Sequence, residues 1–261
     1  MMVEFSKANA KLEKLYDVPE LQEWLTNKRK VYSFDLLSGW SCPFAMDCMA
    51  KVHVSENGKK KLIDGPHTQF RCFSASQEAT FSTAYNKRKR NFDTLRGLHL
   101  NDTIHQLNSS LPKNAGIVRI HVAGDFFSPD YMFAWINVAM MNPNVLFYAY
   151  TKSISYWMRH NEFISRLDNF ILTASRGGRQ DHLIDQHSLR EAKVVFSEEE
   201  ANALGYEIDH TDEHAAIPAK RNESFALLIH GVQPKNSKAS AAIAELKKHK
   251  VKFSYNRKET A

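Results

Sequence analysis

A chain of 261 residues with 43% hydrophobic content can bury one substantial core and need not hold more than one domain. Its formal net charge of +6 suits an anionic partner, but the excess lies in separate runs, Lys59-Lys60-Lys61, Lys87-Arg88-Lys89-Arg90 and Lys247-Lys248-His249-Lys250, each of which also reads as a solvated face. No apolar run is long enough to span a bilayer, the N-terminus lacks the apolar core of a signal peptide, and three cysteines make no disulfide framework. The expectation is therefore a soluble intracellular protein whose cysteines bind metal, react, or are simply buried.

Residues 8–27 read as one or two short helices, with Pro19 where the second begins, Asp17 as a possible cap, and Leu21, Trp24 and Leu25 as the buried stripe. Residues 31–37 alternate as a half-buried strand, ended by Ser38-Gly39. Two of the three cysteines follow in Ser41-Cys42-Pro43-Phe44-Ala45-Met46-Asp47-Cys48, and the third ends His67-Thr68-Gln69-Phe70-Arg71-Cys72. Between them, Val52-His53-Val54 and Leu62-Ile63 flank Asn57-Gly58, a hairpin excursion near residues 51–65 that carries the chain from Cys48 back towards Cys72. A helical pattern runs over residues 75–95 and, after a break near Gly97, over residues 102–111.

Residues 117–122, 145–150 and 170–175 read as strands, with a helix after Ser128-Pro129-Asp130 and another from Ile154 to Leu167 between them. A short strand at 193–196 precedes a capping box, Ser197 to Glu200, whose helix Gly205 closes; 210–218 reads as a loop, 225–231 as a strand and 240–249 as a last helix. Repeated β-α-β units imply parallel strands and right-handed crossovers. The fold class is α/β, an open or partial β/α barrel with a doubly wound sheet as the alternative. Residues 1–30 form a helical lead-in and 31–261 a single β/α domain.

Ligands gather at the carboxyl ends of parallel strands. Cys42 and Cys48 follow the first predicted strand, Gly124 and Asp125 the second, Thr151 and Lys152 the third, Ser175 and Arg176 the fourth, and His230 the last, so all are expected on one rim. Arg119 and His121 are expected to share a strand face, as are Tyr148 and Tyr150. These line a pocket if the face is interior and are satisfied structural groups if it packs on helices. Two thiolates at C-x5-C spacing can grip one metal centre from a single loop, Cys72 can supply a third, and a fourth position stays open.

A strand, a loop of cysteines and a second β-α unit opening with Val122-Ala123-Gly124-Asp125-Phe126-Phe127 resembles the layout of radical S-adenosylmethionine enzymes. The resemblance implies that Cys42, Cys48 and Cys72 hold a [4Fe-4S] cluster whose open iron binds S-adenosylmethionine. Gly124 and Asp125 would then stand where that superfamily contacts the methionyl amino group, Thr151 and Ser175 would join them as cofactor-binding residues, and Lys152, Arg176 and His230 with Asp125 would be the catalytic candidates. One electron from the cluster would cleave S-adenosylmethionine to a 5'-deoxyadenosyl radical. Residues 33–175 also resemble the uncharacterised phage family called gene product eighty-eight, through Ser41-Cys42-Pro43-Phe44-Ala45, Asp47-Cys48, His121-Val122-Ala123-Gly124-Asp125-Phe126 and Tyr150-Thr151-Lys152. That resemblance implies a viral protein in the host cytoplasm and brings no reaction with it.

The leading expectation is a phage iron-sulfur protein with a three-cysteine, site-differentiated [4Fe-4S] cluster, an enzyme if the open iron does radical chemistry. It would act on a small-molecule or nucleic-acid substrate and draw electrons from a host donor, with no membrane partner. Without S-adenosylmethionine the open iron would serve as a Lewis acid or electron relay. One alternative is a structural Cys3His zinc site completed by His67 or His53. Another is a nucleic-acid-binding protein acting through the basic helix at Lys87 to Arg90. The bland reading buries all three cysteines as small hydrophobes.

Overall fold

The computed structural model describes residues 2–249 and 251, so Lys250 of the last basic run and residues 252–261 of the predicted domain lie outside the described residues. Its strands are β1 (Phe5–Lys7), β2 (Lys30–Phe34), β3 (Ala50–Val54), β4 (Lys60–Asp64), β5 (Ala115–Ile120), β6 (Leu146–Thr151), β7 (Phe170–Ser175), β8 (Glu191–Val195), β9 (Glu207–Ile208) and β10 (Phe225–Leu228). Its α-helices are α1 (Gln22–Leu25), α2 (Phe73–Thr80), α3 (Ser82–Leu95), α4 (Leu100–Ser110), α5 (Pro129–Met141), α6 (Ile154–Ile164), α7 (Asp181–Gln186), α8 (Glu198–Leu204), α9 (Glu213–Ala216) and α10 (Lys238–Lys248).

The fold is mixed α/β around a mostly parallel sheet in the order β1-β2-β5-β6-β7-β8-β10-β9. Only β1 runs antiparallel, against β2. From β2 to β8 the neighbours follow chain order, because each crossover returns one strand further along. A doubly wound sheet would reverse direction near its middle, and this one does not. Nor does it close into a barrel: β1 is one edge and β9 the other.

The two faces are covered differently. Phe34, Val118, Ile120, Phe147, Ala149 and Leu172 pack with Tyr131, Met132, Trp135 and Val138 of α5 and with Phe92 and Leu95 of α3. Tyr131, Trp135 and Phe147 are fully buried in this layer, and each such side chain contributes about 1.5–3 kcal/mol on leaving water. On the other face, Val31, Ile117, Leu146, Tyr148, Ile171 and Phe225 meet Leu12, Leu15 and Leu21 of two short 3-10 turns, Leu12–Asp17 and Pro19–Leu21, together with Ala215 and Ala216 of α9. This second cover reaches only part of the face, and a cavity remains beside it near the strand carboxyl ends.

Local signals explain most element boundaries. Ser128 caps α5 by accepting from Tyr131 N, with Pro129 at the first helical position. Ser197 caps α8, and Gly205 ends it in the left-handed conformation. Other expectations need correction. The continuous helix predicted over 75–95 is broken at Phe81, whose extended backbone separates α2 from α3. The strand expected over 117–122 stops at Ile120, because His121 adopts φ +67°. The side chain of His121 therefore turns away from Arg119: it packs against Phe126 and bonds to Tyr131 beneath α5. Residues 210–218, predicted as loop, include α9, and residues 5–7 of the helical lead-in form the edge strand β1.

Candidate functional site at the cysteine loops

The hairpin β3–β4 explains how Cys48 and Cys72, with 23 residues between them, come to one place. Its ends close on the loop around Asp47, whose carbonyl accepts from Gln69 N (2.7 Å) and Phe70 N (3.1 Å). Arg71 is held by Asp64 at the foot of β4 and, through its backbone N–H and carbonyl, by the side-chain amide of Gln233. Cys72 follows at once as the residue capping α2.

All three cysteines are free and half-buried, and the thiols are near enough to act on one another electrostatically. Burial first, then the charge of Asp125 and of the other two thiols, raises Cys42 well above the usual thiol range. Burial also raises Cys48, against the pull of Lys152. Cys72 is pushed up to about 11 by burial and by Cys48, although the N–H groups of Ala75 and Ser74 at the start of α2 favour its thiolate. The thiols are thus protonated at neutral pH until something cationic replaces their protons. Among the described residues, no three His, Cys, Asp or Glu side chains form a group that could hold a metal ion. His67 and His53 are both exposed, His53 on the hairpin.

The strand ends form the seat of the cysteine loop. Gly124 has φ +92°, and a Cβ there would lie 2.6 Å from Ser41 Oγ and 2.7 Å from Leu36 Cβ, so only glycine admits the loop this closely. Asp125 is buried and accepts from Thr151 Oγ1 (2.6 Å), Lys152 N (2.8 Å) and its neighbour Phe126 N (2.7 Å). Burial lifts its carboxyl to about 6, with those three donors and the Lys152 ammonium opposing. Lys152 Nζ donates to Ser175 O, Ser175 Oγ and Arg176 O, fixing the turn after β7. That turn pairs with the cysteine loop, through an Ala45–Gly178 bridge and the Asp47 N to Gly177 O bond.

Gly124, Asp125, Thr151, Lys152 and Ser175 therefore stand together under the cysteine loop. Arg176 points elsewhere: Glu191 and Asp185 hold its guanidinium. His230 lines a cavity of about 190 Å³ that also reaches Cys48 and Cys72. Burial, then the neighbouring Lys11 and Arg119, lowers it to about 4, so it faces the cavity as a neutral imidazole.

The far wall of that cavity is a charged group that the strand-end reading did not include. Asp212, fully buried, accepts from Lys11 Nζ (2.5 Å), Arg119 Nη1, Tyr148 OH (3.1 Å) and Tyr150 OH (3.3 Å). Burial alone would raise its pKa, but Arg119 and Lys11 outweigh that and bring it to about 2. Asp209, beside it, is raised by burial. Arg119, Tyr148 and Tyr150 were legible as polar residues facing inward from apolar strands; Lys11, Asp209 and Asp212 carried no such signal.

The basic run on α3 has intramolecular partners throughout. Lys87 donates to Ser6, Arg88 pairs with Glu78, Lys89 with Asp93 and Arg90 with Glu4. Lys60 of the first run lies over the Tyr85 ring and donates to Glu78 O and Ser82 Oγ.

The model of the family described as Gene product 88 matches residues 3–250. The chain belongs to that family. It is 31% identical over 144 residues to the Gene 88 protein of Mycobacterium phage L5, covering 51% of each chain. It is 29% identical over 123 residues to the Gene 88 protein of Mycobacterium phage D29, covering 44% of this chain and 43% of the relative. The chain thus spans about half the length of the curated relatives it matches. No solved structure matches this Gene product 88 chain. Among the described residues no helix is long and apolar enough to cross a membrane.

Proposed function

We propose that this Gene product 88 chain is an iron-sulfur protein in which Cys42, Cys48 and Cys72 hold a [4Fe-4S] cluster with one iron left for an outside ligand. The observation that carries the reading is the gathering of three free thiols, from two separate loops, at the carboxyl ends of parallel strands and beside a cavity with charged residues in its wall. An all-thiol donor set suits iron-sulfur ligation. Structural zinc needs a fourth protein ligand, and the candidates His53 and His67 are both exposed. A cluster gives each thiolate its own iron and leaves one iron open.

When bound, such a cluster supplies one-electron transfer or a Lewis-acidic iron. The surrounding residues have defined tasks. Gly124 admits the cysteine loop, Asp125 ties the ends of β5 and β6, and Lys152 braces the turn that supports the loop. The cavity that Cys48 and Cys72 line is also bounded by Lys11, Arg119, Asp212 and His230, the polar groups that an outside ligand of the cluster would meet. Strands in chain order in an open sheet fit a partial β/α barrel of radical S-adenosylmethionine type, and S-adenosylmethionine is the first ligand to test. The phage origin of the relatives supports an infected cell as the setting for this activity, with electrons drawn from a host donor.

The test is electron paramagnetic resonance on the anaerobically reconstituted, dithionite-reduced protein with and without S-adenosylmethionine. A cluster signal that shifts when S-adenosylmethionine is added supports the full reading. A cluster signal that does not respond limits it to an iron-sulfur protein with another ligand, and no cluster signal refutes it.

A further inference from the structure

A second cavity lies back to back with the cysteine cavity. It is an open groove of about 540 Å³ between β1 and α3, within the size range of ligand pockets. Three parts of the chain contribute to both. Val122 lines each; Asn9 faces the groove and Lys11 the cavity; Gln77 faces the groove and Ser74, one helical turn earlier on α2, the cavity. Ser74 Oγ donates to Val122 O, and Arg88 on the groove side donates to Ser74 O, so the dividing wall is cross-linked.

The charges in the groove are unevenly committed. Arg88 is paired with Glu78 and Arg90 with Glu4. Asp35 is turned to the wall, accepting from Val122 N (2.8 Å) and Ala123 N (3.2 Å). Lys7 on β1 and Lys87 on α3 face the groove from opposite sides, and among the described residues neither has a carboxylate within ion-pair distance. Lys87 Nζ donates only to the neutral Ser6 hydroxyl, at 2.5 Å. Asn9 spends its carbonyl oxygen on Lys11 N and Leu12 N, which leaves its amide nitrogen as a donor. Thr83 and Asn86 complete a polar lining.

We propose that this groove binds the phosphate of a small phosphate monoester, held between Lys7 and Lys87. Two ammonium groups match the near-dianionic charge of a monoester, whereas a carboxylate would satisfy only one. A polynucleotide spreads single charges along a strand and would run onto a surface where Lys89 and Arg90 are already neutralised by Asp93 and Glu4. Phosphate binding itself does not rest on the cluster.

The test is calorimetric titration of the full chain at low salt with inorganic phosphate, adenosine 5'-monophosphate and, as the uncharged control, adenosine. The two phosphates are expected to bind and adenosine not. Lys7→Gln and Lys87→Gln should each weaken binding by about tenfold or more, the usual loss for one charge-assisted contact. Lys89→Gln should leave it unchanged, and iron and sulfide content measured on the same samples separates this site from the cluster. Lys7 is exposed on an edge strand, so Lys7→Gln keeps the test decisive if Lys87→Gln lowers the melting midpoint. No phosphate binding at millimolar concentration, binding unaffected by either lysine change, or binding of an oligonucleotide but not of the monophosphate would each overturn the proposal.

Discussion

Asp125 Oδ1 accepts a 2.6 Å hydrogen bond from Thr151 Oγ1, joining the carboxyl ends of two adjacent parallel strands directly under the cysteine loop. The other carboxylate oxygen accepts from Lys152 N. In Asp125→Asn the amide nitrogen would meet that N–H, donor against donor, in a buried site. We expect a loss of about 1–3 kcal/mol in urea unfolding, the cost of an orphaned buried donor. Thr151→Val leaves the carboxylate its two backbone donors but removes the acceptor of the buried Ser153 N–H (2.9 Å), so it too should cost about 1–3 kcal/mol.

Gly124→Ala tests how closely the cysteine loop must approach β5. The new methyl would stand 2.6 Å from Ser41 Oγ at a backbone angle that L residues rarely adopt. The loop must shift, and stability should fall by about 1–3 kcal/mol, the range for overpacking and for backbone strain. On the proposed function, iron retention should fall with it, whereas Gly58→Ala in the exposed hairpin turn, where a Cβ meets nothing, should leave iron content unchanged.

Asp212 balances two cations at once. Asp212→Asn removes the carboxylate from the buried Lys11 and from the Arg119 guanidinium, and should cost about 3–5 kcal/mol, as expected for breaking a buried pair from one side. Adding Lys11→Met should recover part of that loss. A double-mutant cycle by chemical denaturation reads the coupling, and strict additivity would show that the ammonium and carboxylate do not sense each other.

Burial holds His121 at about 3, while the unfolded chain titrates near the ordinary histidine value of about 6.5. The native state therefore binds fewer protons across that window, and the contribution of His121 to stability, complete above the unfolded value, is lost as pH falls through it. Asp125, raised to about 6, has the opposite slope: its native state binds more protons than the unfolded chain, so its contribution declines as pH rises towards 6. The histidine effect is best read as a difference between variants. His121→Asn, which tolerates the positive φ, should gain on the parent protein steadily as pH is lowered from about 6.5 to 4. Parallel melting curves against pH would refute the assignment.

Period and punctuation made the centre of the fold legible. The strand at 170–175 and the Ser128 and Ser197 caps stand where alternation and cap chemistry put them, because in each case local sequence and tertiary packing agree. The break at Phe81 carried no glycine or proline, and His121 gave no warning of a left-handed turn. Cysteines and strand-end residues were visible as a candidate site because topology alone sends successive strand ends to one rim. Whether a strand-end residue faces the site depends on distant partners: Arg176 is drawn off by Glu191 and Asp185, and Lys11 reaches the cavity only through Asp212, near the other end of the chain. Such pairings have no periodicity to betray them.

The most direct test of the central claim is the iron and acid-labile sulfide content of the protein purified and reconstituted without oxygen, compared with Cys72→Ser treated identically. The cluster reading predicts about four of each per chain in the parent protein, with visible thiolate-to-iron absorption, and loss of both in a variant that remains folded. Equal iron and sulfide in the two proteins, or zinc in place of iron, would contradict it.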